Sequence, residues 1–412
     1  MRVSLPTRRA PLPAGVAAPA QDQHASAKST LLWLALTTFT IYLGWGIVTP
    51  VLPKYAESFG VGSFAVGVLV ASFSITSFAF DLYGGRLSDR YGARRMACSG
   101  AILVAAGSVI AGAAPSYGLL LAGRALAGVG SALYVTAAMN ILARTTPAAR
   151  MARSMSIYQA AIMSGVAFGP SLGGLLAGLF NYRVPLYSYA ALAVICASVA
   201  VFTLPARLPA LAPRGQDRSG STFALLRDGA FASAVALSTV VFVIRAGVLS
   251  TLTPLFADHT LHLSTQVIGY ALTVAAAVNL AVLPHAGSLS DRRPRKVAVL
   301  VGLGAGIAGM LVLAGPANVP LLFVAMIGLG ICTGYAGVSP AAIIVDVAPP
   351  ERSGAAMGLY RMGVDFGSVT GPLLAGQLAA STSYRTTFLV LTLPVGLMCL
   401  VAARLRDTRQ RS

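Results

Sequence analysis

Charge is the first thing the 412-residue chain lacks: Asp, Glu, Lys and Arg together make up 10% of it, against roughly a quarter in an average soluble protein. Acids are scarcest, 12 in all, while 56% of residues are apolar. That balance excludes an ordinary soluble enzyme and a disordered polymer alike. Cysteine is also sparse. Cys98, Cys196, Cys332 and Cys399 lie singly in apolar runs without C-x-x-C spacing, so they read as small buried hydrophobes and not as a disulfide framework or thiolate centre. The zinc-protease helix H-E-x-x-H, the Gly-x-Ser-x-Gly elbow and the Gly-x-x-x-x-Gly-Lys-Ser/Thr phosphate loop are missing, so neither a hydrolase nor a nucleotide-driven pump finds support. Asp258-His259-x-x-His262 has metal-compatible spacing but no further ligands nearby, and reads as a solvated loop. No enzyme, metal or organic cofactor is expected.

What the chain has in excess is apolar length. A bilayer needs about 20 mostly apolar residues per helix, and twelve such runs follow one another, the first near 31–54 and the last near 384–404. The expected class is an all-α integral membrane protein of twelve transmembrane helices in two pseudo-symmetric six-helix bundles. Residues 31–205 form the first bundle and 229–404 the second. A linker at 206–228 joins them, and tails at 1–30 and 405–412 flank them, the first of these read as disordered.

The 30 basic residues give a net charge of +18, which in a soluble protein would suggest nucleic acid as a partner. Their positions argue otherwise. The termini and the even-numbered loops take 24 of them, and only Lys54, Arg183 and Arg385 fall on the opposite side. This is the positive-inside pattern, with both termini cytoplasmic. The expected partner is the lipid bilayer and not a nucleic acid.

A shift of 202 residues aligns the chain with itself. Gly85, Leu87, Ser88, Asp89 and Arg90 fall on Gly287, Leu289, Ser290, Asp291 and Arg292. In the same register Gly165, Gly169, Pro170 and Gly174 meet Gly367, Gly371, Pro372 and Gly376, and Tyr182-Arg183 meets Tyr384-Arg385. The chain is a duplicated six-helix unit. Because six is even, both copies cross the membrane in the same sense, an arrangement that places a substrate site between them.

Three motifs carry a resemblance. The segment between helices 2 and 3 reads Gly85-Arg-Leu-Ser-Asp89-Arg90-Tyr-Gly92-Ala-Arg94-Arg95, with a second copy at Gly287, Asp291 and Arg292 in which Pro294 replaces the later glycine. Helix 4 carries Arg124-Ala-Leu-Ala-Gly128-Val-Gly130. Helix 5 carries Gly165-Val-Ala-Phe-Gly169-Pro170-Ser-Leu-Gly173-Gly174. The chain resembles the major facilitator superfamily, and within it the twelve-helix drug/proton antiporters. The resemblance implies that the Gly85–Arg95 motif latches the cytoplasmic ends of the two halves, that Arg124 tunes proton coupling, and that the helix-5 Gly-Pro motif marks an exchanger. Many such exchangers carry an acid in helix 1, whereas Leu31 to Pro53 has none, so the proton carrier is sought elsewhere.

Five charges lie within the apolar runs: Asp81, Arg124, Arg245, Arg361 and Asp365. Ionisable groups in lipid are costly and are functional candidates by default. Arg361 and Asp365, four apart on one helix face, form either a switch or a static pair. Asp81 either carries a proton or pairs with an arginine of a cytoplasmic loop. Arg245 has no acid near it in sequence and reads as cavity-lining. The reading is a monomeric secondary transporter of a bacterial plasma membrane, which exports small drug-like organic molecules in exchange for protons. A metabolite or sugar transporter of the same fold, proton-coupled or facilitative, is the alternative.

Overall fold

A computed structural model of the protein describes residues 20–146, 150–205, 222–347 and 353–404. Among these residues there is no strand, and twelve long helices hold nearly all of the chain. In the first half they are α1 (Ala20–Val48), α2 (Ser63–Tyr91), α3 (Ala93–Ala113), α4 (Tyr117–Thr145), α5 (Met151–Leu179) and α6 (Val184–Thr203). The second half contains α7 (Gly229–His259), α8 (Thr265–Arg292), α9 (Arg295–Leu313), α10 (Val319–Val347), α11 (Ser353–Ser381) and α12 (Tyr384–Arg404). Helix α1 starts at Ala20, ahead of the apolar run at Leu31; residues 1–19 of the expected tail, 206–221 of the linker and 405–412 lie outside the described residues.

Eleven of the twelve are long and apolar enough to cross a bilayer. The twelfth, α11, has the length, at 29 residues, but carries Arg361, Asp365 and Gln377. The surface has the inverse of a soluble protein's polarity. Phe202 is 86% exposed and Leu393 68%, and Leu179, Leu397 and Leu400 also stand outward. Side chains of this kind face lipid, where only a backbone satisfied within its own helix survives.

The halves are built alike. α1 packs on α5, α2 on α4, and α3 on α4 and α6; α7 packs on α11, α8 on α10, and α9 on α10 and α12. Each half has its own core, one around Leu34, Ile41, Tyr134 and Tyr189, the other around Met310, Met326, Phe388 and Leu391. Between halves, the principal contacts are α2 with α11 and α5 with α8. One departure from this symmetry is the centre of α7, a π-helix over Val243–Leu252 in which the Ser250 and Thr251 hydroxyls donate to carbonyls five residues earlier.

Gly85–Arg95, which the sequence places between two helices, is itself almost wholly helical. α2 continues through Tyr91 and α3 begins at Ala93, leaving Gly92 alone between them with φ +89°. A glycine adopts that left-handed φ without cost and reverses the chain in one residue. Its counterpart Pro294 has φ −49° and makes a different turn between α8 and α9.

Candidate functional site

The seam between the halves closes on one face of the molecule, the face of loops 1–2 and 7–8. A Cβ at Gly174 would lie 2.6 Å from the Thr265 carbonyl, and one at Gly376 2.6 Å from the Ser63 carbonyl. Opposite them, a Cβ at Gly269 would strike the Pro170 carbonyl and one at Gly67 the Pro372 carbonyl. Each pair maps on the other through the 202-residue shift. Small residues are what let two helix backbones come this close. The helix-5 motif therefore has two sides. A Cβ at Gly165 would fall 2.7 Å from the Leu43 amide, and Gly169 and Gly173 likewise press on Gly46 and Ile47 of α1, within their own half. Pro170 and Gly174 face α8 instead, where the Ser171 hydroxyl and Thr273 Oγ1 also lie 2.7 Å apart.

Toward the other face, three of the five embedded charges meet. Arg361 Nη2 of α11 donates to Asp81 Oδ2 of α2 at 2.8 Å, and its Nε lies 3.5 Å from Asp365 Oδ2 one turn further along α11. Thr136 of α4 donates to the other Asp81 oxygen at 3.3 Å. Asp365 Oδ2 is buried and accepts no hydrogen bond. The partner of Asp81 is thus not a loop arginine but Arg361, 280 residues away, because α2 and α11 pack directly and the largely covered Asp81 carboxylate would otherwise lack a counter-charge. One guanidinium serves two carboxylates from different halves, so the group has an excess of one negative charge. A proton can neutralise it.

Between seam and triad lies a cavity in two adjoining lobes, each enclosing about 560 Å³, openings included. Trp45, Thr49, Arg245 and Ser250 line both lobes. Arg124 and Phe73 belong to the first; Met163, Val166, Leu249 and Leu272 make the second apolar. Arg124 does not snorkel to the surface: it is 3% exposed, with its guanidinium 4.8 Å from the Phe73 ring centroid.

A second set of inter-half contacts lies beyond the seam. Lys54 Nζ lies 2.5 Å from Asp258 Oδ1 and donates to the Leu263 carbonyl. His259 joins Glu57 across the halves at 3.1 Å and, within its own half, lies 2.6 Å from the Tyr384 hydroxyl. Asp258 and His259 are therefore a clasp and not part of a freely solvated loop, since the short helix Leu52–Glu57 brings its charges against the end of α7, while His262 is exposed as the loop reading expects. Glu57, Asp258 and His259 present atoms within 4.8 Å of one another, as metal ligands do, but the Lys54 ammonium already balances Asp258. Burial raises the Glu57 carboxyl above its ordinary range, outweighing the attraction of His259. A raised acid costs the folded state stability above that value, and the cost disappears once it is protonated. Glu57→Gln should accordingly raise the thermal midpoint of the purified protein near pH 8 and leave it unchanged near pH 4; an unchanged or lower midpoint near pH 8 would contradict this.

The remaining motif residues lie at the opposite end. Arg90 stacks 5.4 Å from the Tyr91 ring centroid, Arg94 Nη1 donates to the Val201 carbonyl at 3.3 Å, and Arg95 and Arg292 are exposed. Gly85 is an α2 residue, the side chains of Asp89 and Asp291 lie outside the described residues, and Gly287 has open space beside it. Sequence reasoning missed Gly67 and Gly269, although the 202-residue register pairs them. It also missed the Arg295–Asp346 pair at 3.0 Å, which ties α9 to α10.

Comparison with known proteins agrees with this architecture. The profile described as Major Facilitator Superfamily matches residues 34–264 and 235–412. An MFS-type transporter of Methanocaldococcus jannaschii is 23% identical over 353 residues, covering 85% of this chain and 90% of the relative. The quinolone resistance protein NorA of Staphylococcus aureus is 29% identical over 162 residues, 39% of this chain and 42% of NorA. Among solved structures, a variant of the nucleoside transporter NupG superposes with a TM-score of 0.77 at 16% identity, covering 91% of this chain and 99% of NupG. A bacterial homologue of the human lysosomal transporter Spinster, inward-facing and unoccupied, gives 0.76 at 15% identity, covering 94% and 98%.

Proposed function

Since the chain belongs to the major facilitator superfamily, a family of membrane transporters, we propose that it exports small amphipathic organic molecules in exchange for protons. The observation that carries this reading is the Asp81–Arg361–Asp365 group, with two carboxylates for one guanidinium and a bond that crosses from one half to the other. A proton on either acid releases Arg361 to the other, and the strength of the bridge between halves changes with it. Proton occupancy and rocking are coupled at one place.

Export is supported by the Gly165–Gly174 motif and by the local likeness to a quinolone resistance protein. The distribution of basic residues supports a bacterial plasma membrane with both termini cytoplasmic. The face closed by the seam and clasp is then the outer one, and the cavity is entered from the cytoplasm. In the return state the Gly85–Arg95 motif, with Asp89, Arg90 and Arg94, holds the cytoplasmic ends together. One copy contains cavity, seam and triad complete, which supports a monomer.

Everted vesicles test the proposal. With a preformed pH gradient, acid inside, a panel of dyes, antibiotics and sugars is added while a fluorescent probe follows the gradient. A substrate should collapse part of it in vesicles carrying the protein and not in control vesicles. Uptake of a panel compound that proceeds without any response of the gradient would sink proton exchange.

A further inference from the structure

Among the described residues, two arginines face the cavity, and neither is paired with an acid. Arg124 is 3% exposed, and its Nε and Nη1 are buried without a hydrogen-bond partner. Arg245 lines both lobes with its guanidinium 5.8 Å from the Phe242 ring centroid. Among the described residues neither makes an ion pair, and the acids of this region, Asp81 and Asp365, both belong to Arg361. A guanidinium withdrawn from water is costly unless an anion and hydrogen-bond acceptors replace the solvent. Its planar donor fork fits a carboxylate in particular. The two come from different halves, α4 and α7, so a ligand between them would touch both sides of the rocking unit.

From this unpaired charge, and resting on the transport reading above, we propose that the substrate is an organic anion. Its carboxylate or sulfonate sits between Arg124 and Arg245, and its aromatic or aliphatic body fills the lobe formed by Met163, Val166, Leu249 and Leu272. The Phe73, Phe242 and Trp45 rings complete the apolar surround. An inside-negative membrane potential favours export of such a molecule.

The chain provides its own reporter. Of its two tryptophans, Trp45 lines both lobes, while Trp33 is 39% exposed on the outside of α1. In the full-length Trp33→Phe protein in nanodiscs, quenching of Trp45 is titrated with 2-naphthoate, neutral 2-naphthamide and the cation (2-naphthylmethyl)trimethylammonium. Naphthoate should bind roughly tenfold or more tighter than the amide, and the cation weakest of all. Arg245→Gln should bring naphthoate to the affinity of the amide, whose own affinity moves less than about twofold, and Arg245→Lys should restore part of the preference. Arg124→Lys, which keeps the buried charge but loses the fork, should weaken naphthoate alone. Equal or tighter binding of the amide or cation, an unchanged preference in Arg245→Gln, or no saturable quenching by any probe at millimolar concentration overturns the proposal. Binding is read without a pH gradient. A naphthoate preference with no gradient response in everted vesicles defeats proton exchange alone, and a gradient response to cations with no naphthoate preference defeats the anion assignment alone.

Discussion

Replacing Gly269 by leucine should lower transport about a hundredfold while the protein still folds. The glycine packs where α8 meets α5, and a Cβ there would also come within 3.1 Å of the Gly174 Cα. Both neighbours are backbone and cannot swing aside. Overpacking of this kind costs about 1–3 kcal/mol, and each 1.4 kcal/mol shifts a two-state population tenfold. The cost falls on the closed seam and not on either bundle, so the molecule is held open on that face. Gly67→Leu, its image in the other half, should do the same. A cysteine placed at Thr49 of the Gly269→Leu protein should be alkylated from the seam face faster than in the parent protein. Leucine at Gly173 should instead reduce the amount of folded protein, because that residue presses on Ile47 of its own half. Transport within about twofold of normal in both Gly67→Leu and Gly269→Leu would show that the seam does not have to close.

Asp365→Asn should lower the response to a pH gradient by about a hundredfold, while exchange of substrate for substrate continues. The amide keeps the size and one acceptor but cannot take up a proton, and Arg361 is left with Asp81 alone. Asp81→Asn should also lose the gradient response, and in addition it weakens the bond between halves, so its exchange rate changes as well. The comparison separates proton carriage from bridging, and it is made in proteoliposomes with and without an imposed gradient. If both variants respond to the gradient as the parent does, the proton travels elsewhere.

Much of this was readable from the sequence, for reasons that differ by feature. The twelve spans are legible because exclusion of charge from lipid acts residue by residue, and the duplication because Asp-Arg, Gly-Pro and Tyr-Arg pairs recur in one register. The helix-5 motif was legible as a motif, but its division between α1 and α8 was not, since spacing alone does not say which neighbour each glycine meets. Asp81 and Arg361 were visible as costly charges. That they satisfy each other depends on α2 lying on α11, a tertiary fact with no local trace. Gly67 and Gly269 are hidden among 43 glycines. The clasp was misread because Asp258 and His259 look solvated until Leu52–Glu57 is folded against them.

The π-helical centre of α7 gives the two halves unequal mechanics. A turn that bonds five residues back instead of four holds one residue more than an α-turn. That spare residue is slack in the register: moving it along the helix by one position rotates the flanking side chains by about 100° while both helix ends stay anchored. Arg245 lies in its first turn, and its carbonyl accepts from the Ser250 hydroxyl five residues on. α1 is α-helical over its whole 29 residues and has no such reserve. One wall of the cavity can thus re-aim a side chain by twisting in place, and the other can move only as a rod.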